Sequence, residues 1–317
     1  MGKDRTGLSG GAMKAASIDM GTNTFRLLAV QVDKTPPTIK ILHQDRRVVR
    51  MGEGLATTGK MTPQAQERAL AVLKDFRKAL EEHSIDQVFA VATSVFREAQ
   101  NAQTFLDKAQ EVLGVPIRVV SGEEEARLTL LGGLWNLEVR NGILFDIGGG
   151  STEFIRFQER KPINLISTPL GVVKLTEALL HHDPPTPQEM KTLERMVRVE
   201  VERVAEALGN HSLTLIGTAG TVTTLAAIDI GLSIYDHNKV HGYVLTRERI
   251  EEMLKTFLAC TREERLKMKG MEKGREDLII PGTVITLKAM EVWDQKRLVV
   301  SDLGLREGAL LDGLGCR

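Results

Sequence analysis

The chain has 317 residues, 42% of them hydrophobic and 26% charged, which is room for about two domains on a prior of roughly 150 residues each. Forty-two basic residues cancel forty-two acidic ones, so a dedicated nucleic-acid binder, which usually carries a basic excess, is not expected. Cys260 and Cys316 sit in no CxxC or Cys/His cluster, which argues against structural zinc or a disulfide framework and fits a cytoplasmic protein; no run of 18 apolar residues offers a membrane span.

Residues 1–13 are polar and glycine-rich, with no apolar stretch of signal-peptide type, and read as a flexible leader. Ser17 to Leu28 reads as strand, tight turn, strand, with Asp19, Gly21, Asn23 and Thr24 at the turn. Another strand is expected over Ile39 to Leu42. Arg46, Arg47 and Arg50 follow it, as either a solvated edge or a rim that faces an anion. Thr62-Pro63 opens a helix, Thr as N-cap and Pro in the first turn. Leu70, Leu73, Phe76 and Leu80 mark its buried face. Val88 to Ala92 is a strand. Polar residues at a strand's C-terminal end often line a site, and Thr93, Ser94 and Arg97 stand there. Arg97 has two readings, phosphate binding or pairing with a surface acid such as Glu98.

A helix over Phe105 to Val112 and a strand over Ile117 to Val120 follow. Ser121 and Glu124 then form a capping-box pattern, and acids at a helix start complement its dipole. A carboxylate placed there can equally face a cleft. Leu144 to Ile155 is the most informative stretch: an apolar run ending in Asp146, then Gly148, Gly149, Gly150 and Ser151, then Glu153 and more apolar residues. Adjacent glycines allow positive φ and leave backbone N–H groups uncovered, so the turn can wrap a phosphate or be a plain hairpin. An anion held between Asp146 and Glu153 calls for a divalent cation, and hard oxygen ligands suit Mg²⁺.

Thr168 to Gly171 leads into a short helix with Lys174, and Thr186 with Glu189 is a second capping box. The helix behind it buries Leu193, Val197, Val201, Val204 and Leu208. A strand over Leu213 to Ile216 precedes the small-residue loop Gly217 to Thr224. Its helix start, with Gly220 and Thr221, is a further candidate anion site. No GK[ST] follows, so it is not a P-loop. His237 to His241 is a polar loop, Thr246 and Thr261 cap two helices, Thr283 to Met290 is helical, and Arg297 to Val300 is a strand.

The two turns share one grammar. Asp19 matches Asp146, Gly21 matches Gly148 and Thr24 matches Ser151, each pair 127 residues apart (146 minus 19). Duplicated lobes with a ligand between them are therefore expected. Taken together, Ile18 to Thr24, Ala92 to Ser94 with Arg97, Ser121 to Arg127, Asp146 to Glu153, Gly217 to Thr221 and Asp302 to Gly308 resemble the exopolyphosphatase and guanosine pentaphosphate phosphatase family. That family lies within the actin-like ATPase, sugar kinase and Hsp70 superfamily.

The resemblance implies an α/β protein of two ribonuclease-H-like domains with an interdomain cleft, over 14–125 plus 302–317 and over 126–301. It implies hydrolytic release of terminal phosphate from inorganic polyphosphate with Mg²⁺, and leaves K⁺ open as a second cation. Guanosine pentaphosphate or a nucleoside di- or triphosphate is the alternative substrate, and a non-catalytic sensor of such ligands is a third reading. By carry-over Glu124 is the catalytic base, and Asp146 and Glu153 hold Mg²⁺ or order water. Gly148, Gly149, Gly150, Ser151 and Gly220, with Thr24 and Thr221 beside them, cradle phosphate. Asn23, Arg97 and Lys174 bind the end of the chain. A homodimer, with neither nucleic acid nor membrane as partner, is the family expectation. Two features depart from it: many members carry a further helical region after the second lobe, and Arg26 stands where several carry another polar residue.

Overall fold

The computed structural model describes residues 13–34, 37–209 and 213–315. All of the expected leader except Met13 lies outside the described residues, as does Cys316. The chain forms two compact units, Met1–Gly122 with Ala309–Arg317, and Glu123–Gly308.

In the first unit, β1 (Met13–Met20), β2 (Thr24–Lys34) and β3 (Pro37–Val48) form an antiparallel meander. Then come α1 (Leu55–Thr58), α2 (Pro63–Glu82), β4 (Gln87–Ala92), α3 (Ser94–Glu98), α4 (Ala102–Leu113) and β5 (Ile117–Val119). The sheet order is β3-β2-β1-β4-β5, with β4 parallel to β1 and β5 parallel to β4. Helix α2 starts as its sequence directs: the Thr62 hydroxyl accepts from the Ala65 N–H, and Pro63 needs no N–H partner. It buries Ala65, Ala69, Leu73, Phe76 and Leu80 against the sheet.

The second unit opens with α5 (Gly122–Gly133), followed by β6 (Gly142–Ile147), β7 (Thr152–Gln158) and β8 (Lys161–Thr168). Next are α6 (Val172–Leu179), α7 (Pro187–Leu208), β9 (Thr214–Thr218), α8 (Ala219–Ile230), α9 (His237–Val240) and β10 (Val244–Thr246). It closes with α10 (Arg247–Ala259), α11 (Arg262–Leu266), α12 (Ile279–Val292), β11 (Arg297–Val300) and the first part of α13 (Leu305–Gly313). Its sheet order is β10-β11-β9-β6-β7-β8. Read from β8 to β11, this repeats the first sheet strand for strand: two antiparallel hairpin steps, then two parallel neighbours. The duplication suggested by the two turns thus extends to whole sheets of ribonuclease-H type.

One face of the second sheet is covered by α6, α7, α8 and α12. Phe145, Phe154 and Trp293 lie at the core of this layer. The other face presents Leu144, Ile155, Phe157 and Ile216 to Ala126, Leu130 and Leu134 of α5. Helix α7 buries all five of its expected apolar residues and carries both halves of the Thr186–Glu189 capping box. Thr261 and Glu264 form another, and the Thr246 hydroxyl accepts from the Arg249 N–H.

The sequence reading placed the joins after residue 125 and before 302; the compact units meet at 122/123 and 308/309. Glycine contacts account for the later return point. A Cβ on Gly308 would overlap the Leu128 carbonyl, and one on Gly132 would overlap the Gly304 carbonyl. The start of α13 is therefore pressed against α5. Beyond it, Leu310 packs on Ala15, Leu28 and Val30 of the first sheet.

Candidate active site

The glycine turn is held from behind. The N–H groups of Val172 and Val173 donate to the carbonyls of Gly148 and Gly149, both at 3.0 Å. A trans peptide points its N–H opposite to its carbonyl. The N–H groups of Gly149 and Gly150 therefore face away from α6. Gly171 must be glycine, since a Cβ there would strike the Gly149 carbonyl and the Gly150 backbone. None of Gly148, Gly149 and Gly150 is among the glycines with left-handed backbone, which corrects the positive-φ argument. What Gly148 supplies is room: its Cβ would sit 3.0 Å from the Ser151 carbonyl, to which its N–H donates at 2.9 Å.

The first unit repeats this construction. Gly21 donates to the Thr24 carbonyl at 3.1 Å, and its Cβ would also stand 3.0 Å from that oxygen. The chain after β3 holds the turn: Gly52 N–H donates to the Thr22 carbonyl, and the N–H groups of Val49 and Arg50 donate to that of Asn23. The Thr22 hydroxyl bonds that of Ser94 at 2.9 Å, so α3 is tied to the turn. Arg97 spends one guanidinium N–H on the Val120 carbonyl at 2.8 Å. Of the three arginines near β3, Arg47 pairs with Asp45 and Asp75 on the α2 side. The charge and hydrogen bond of Asp45 hold its pKa above the ordinary value.

Asp146 and Glu153 are direct partners across β6 and β7. Alternation puts them on the face of Leu144 and Ile155, the face covered by α5. Helix direction then locates Glu124. The Arg160 guanidinium donates to the carbonyls of Leu134 and Leu137, both at 2.6 Å, so the end of α5 lies by the β7–β8 turn. Its first turn, with Glu123, Glu124 and Glu125, therefore lies toward the other end of these strands, where Asp146, Glu153 and the glycine turn are. Glu124 stands 3.6 Å from Arg127, and Glu153 accepts from the Ser167 hydroxyl at 2.9 Å.

Asp146 and Glu153 are directly opposed carboxylates, hard oxygen donors of the kind a divalent cation takes. Among the described residues no cluster of three or more metal-ligating side chains occurs. Mg²⁺ is normally held by one or two carboxylates plus waters and phosphate oxygens. The pair fits Mg²⁺ on those terms.

Thr218 ends β9 beside Asp146. Ala219 then takes a left-handed φ of 68° to turn into α8, a conformation uncommon for residues other than glycine. Gly220 does not lie open. The buried Arg275 guanidinium lies against it, so a Cβ there would overlap Arg275. The Thr221 side chain packs on Gly282 of α12, while Lys174 is exposed on α6. Arg275 was missed in the sequence. Its guanidinium, at the start of α8, stands 3.7 Å from the Glu272 carboxylate. Only the order Arg275-Glu276-Asp277 before a helix hinted at it.

Asp302, just past β11, collects its own cluster. One carboxylate oxygen accepts from the Tyr235 hydroxyl at 2.6 Å, the other bonds His237 Nδ1, and the Asp302 N–H donates to His241 Nδ1. The hydrogen bond to Asp302 leads the causes that raise the His237 pKa, against burial, which lowers it. A raised folded-state value gives stability that is complete below about pH 6.5 and is lost as pH rises through the folded value. The 232–238 segment is expected to be best protected from hydrogen exchange below that pH and to loosen above it. An NMR titration placing the His237 pKa at or under 6.5 would contradict this.

The chain matches the Ppx/GppA phosphatase family over residues 29–316. It is 33% identical to a Mycobacterium tuberculosis protein named exopolyphosphatase 2, over 95% of this chain and 97% of that one. A crystal structure of an Aquifex aeolicus Ppx/GppA family member superimposes with a TM-score of 0.83 at 34% identity, over 96% of this chain and 98% of that one. A Cytophaga hutchinsonii exopolyphosphatase gives 0.84 at 29%, over 95% and 98%.

Proposed function

The chain belongs to the Ppx/GppA phosphatase family and is a hydrolase of acid anhydrides, and from that premise we propose that it removes terminal orthophosphate from inorganic polyphosphate with Mg²⁺ as cofactor. The observation that carries the reading is the grouping of Glu124, Asp146 and Glu153 on one face and toward one end of the second sheet, beside a turn whose N–H groups point outward. The 33%-identical relative named an exopolyphosphatase supports the choice of substrate.

Phosphoryl transfer to water asks for positioning and charge neutralisation more than covalent help. The N–H groups of Gly149 and Gly150 bind oxygens of the terminal phosphate. Asp146 and Glu153 would hold Mg²⁺, which would supply charge neutralisation at the phosphoryl oxygens. Glu124 takes a proton from the attacking water as the water oxygen bonds to the terminal phosphorus. The bridging P–O bond breaks, and its electron pair leaves with the shortened chain. Within the second unit, Lys174 and Arg275 offset the substrate's negative charge. A homodimer belongs to the same proposal, and sedimentation at the dimer mass would support it.

The test is orthophosphate release with Mg²⁺ from polyphosphates of graded length, guanosine pentaphosphate and ATP, side by side. Polyphosphate is expected to be the fastest substrate, with activity abolished by a chelator. Faster release from guanosine pentaphosphate would replace polyphosphate with the nucleotide. No release from any substrate would point to a sensor.

A further inference from the structure

In the second sheet one lateral row reads Ser167, Glu153, Asp146, Thr218 across β8, β7, β6 and β9. Residues in one lateral row point to one face, so two carboxylates are flanked on that face by two hydroxyls. The hydroxyls are used differently. Thr218, beside Asp146, donates to the Leu303 carbonyl at 3.0 Å. Ser167, opposite Glu153, donates to Oε1 of that carboxylate at 2.9 Å.

We infer that Ser167 is a positioning residue: its hydroxyl orients the Glu153 carboxylate for a divalent cation, and the stretch 167–173 holds that carboxylate and the glycine turn in one frame. The inference rests on the reading of Asp146 and Glu153 as Mg²⁺ ligands and deepens it. Glutamate is among the side chains that lose most rotamer freedom when held in one place, and a donor on one oxygen holds it. A hydroxyl does so without adding positive charge, so the carboxylate keeps its full attraction for a cation. An ionised carboxylate has about four lone-pair sites on its two oxygens, so one accepted bond leaves it able to ligate.

The stretch behind Ser167 is fastened at each step. The buried Thr168 hydroxyl donates to the Thr152 carbonyl at 3.0 Å, and the buried Thr152 hydroxyl donates to the Leu170 carbonyl at 2.6 Å. These bonds pin the register of β8 on β7. A slip by one residue would turn Ser167 to the opposite face. Gly171 then lies against Gly149 and Gly150, and the N–H groups of Val172 and Val173 hold the carbonyls of Gly148 and Gly149. One end of the stretch thus grips Glu153 and the other grips the turn.

The experiment measures binding of Mn²⁺, a paramagnetic stand-in for Mg²⁺, to the full-length chain by electron paramagnetic resonance. The proteins are the parent, Ser167→Ala, Ser167→Thr and Glu153→Gln, the last of which identifies the site being counted. Loss of a hydrogen-bond partner to a metal ligand typically costs about 10–100-fold in metal affinity. Ser167 lies exposed on an edge strand, so Ser167→Ala is expected to weaken Mn²⁺ binding by about tenfold, the low end of that range. Half-saturating Mg²⁺ in phosphate release should rise in parallel, with turnover at saturating Mg²⁺ little changed. Ser167→Thr, which keeps the hydroxyl on a residue that suits a strand, should recover most of the loss. Melting should be unchanged in both, whereas a merely structural hydroxyl would lower melting and leave Mn²⁺ affinity alone. Parental Mn²⁺ affinity in Ser167→Ala, or an equal loss in Ser167→Thr, would overturn the role of Ser167 and leave Asp146 and Glu153 as ligands. Mn²⁺ binding untouched by Glu153→Gln would overturn the cation reading and the role of Ser167 with it. The binding measurement needs no turnover, so it decides the matter even if polyphosphate is not the substrate.

Discussion

Glu124→Gln is expected to lower turnover on polyphosphate by about 10²–10⁴-fold, the usual worth of a general base, with substrate affinity nearly unchanged. Glutamine keeps the shape and hydrogen-bonding reach of glutamate but cannot accept the proton from water. The competing role for this residue is electrostatic: an acid in the first turn of α5, 3.6 Å from Arg127. Loss of that role costs roughly 0.3–1 kcal/mol of helix stability and leaves catalysis alone. Glu123→Gln, in the same turn but exposed, removes an equal charge and serves as the reference. Steady-state phosphate release and a thermal melt on both variants separate the two roles. Near-parental turnover from Glu124→Gln would leave the residue with helix stabilisation only.

Arg265→Ala is expected to destabilise the second unit by about 1–3 kcal/mol, the cost of leaving buried acceptors unsatisfied. The Arg265 side chain is 2% exposed, and its guanidinium donates to the carbonyls of Glu276, Phe257 and Cys260 and to the Asp183 carboxylate. Truncation removes the guanidinium donor from the Glu276, Phe257 and Cys260 carbonyls and from the Asp183 carboxylate, which is exposed and keeps the Arg262 N–H. The effect extends to function, because the segment fastened through Glu276 also carries Arg275, which lies against Gly220. Both tryptophans, Trp135 and Trp293, belong to the second unit, so their fluorescence during urea unfolding reports on that unit alone. A midpoint shift worth less than about 1 kcal/mol would show that the network relaxes without Arg265.

The strands that the sequence did not reveal, or revealed only in part, each have their own cause. β8 begins Lys161-Pro162, and proline argues against a central strand; it is tolerated here because β8 is the sheet edge. β10 has only three residues, too few for alternation to register. β3 runs to Val48, past the Leu42 expected for it, because a strand with one exposed edge can carry His43, Arg46 and Arg47. α3 and α9, with five and four residues, show no period at all.

The sequence alone determined what rests on local chemistry: the caps at Thr62, Thr186, Thr246 and Thr261, the apolar stripe of α7, and the two Asp-x-Gly turns with their shared pattern. These depend on neighbours within a few residues, so spacing is enough to reveal them. Tertiary structure decided which residues meet across long separations. It laid Arg275 over Gly220, faced Arg26 with Arg46 beside Asp19, and ran α5 so that Glu124 lies toward the Asp146 end of its sheet. Register and helix direction come from packing of whole faces, a property of the assembled sheet that no short window of sequence contains.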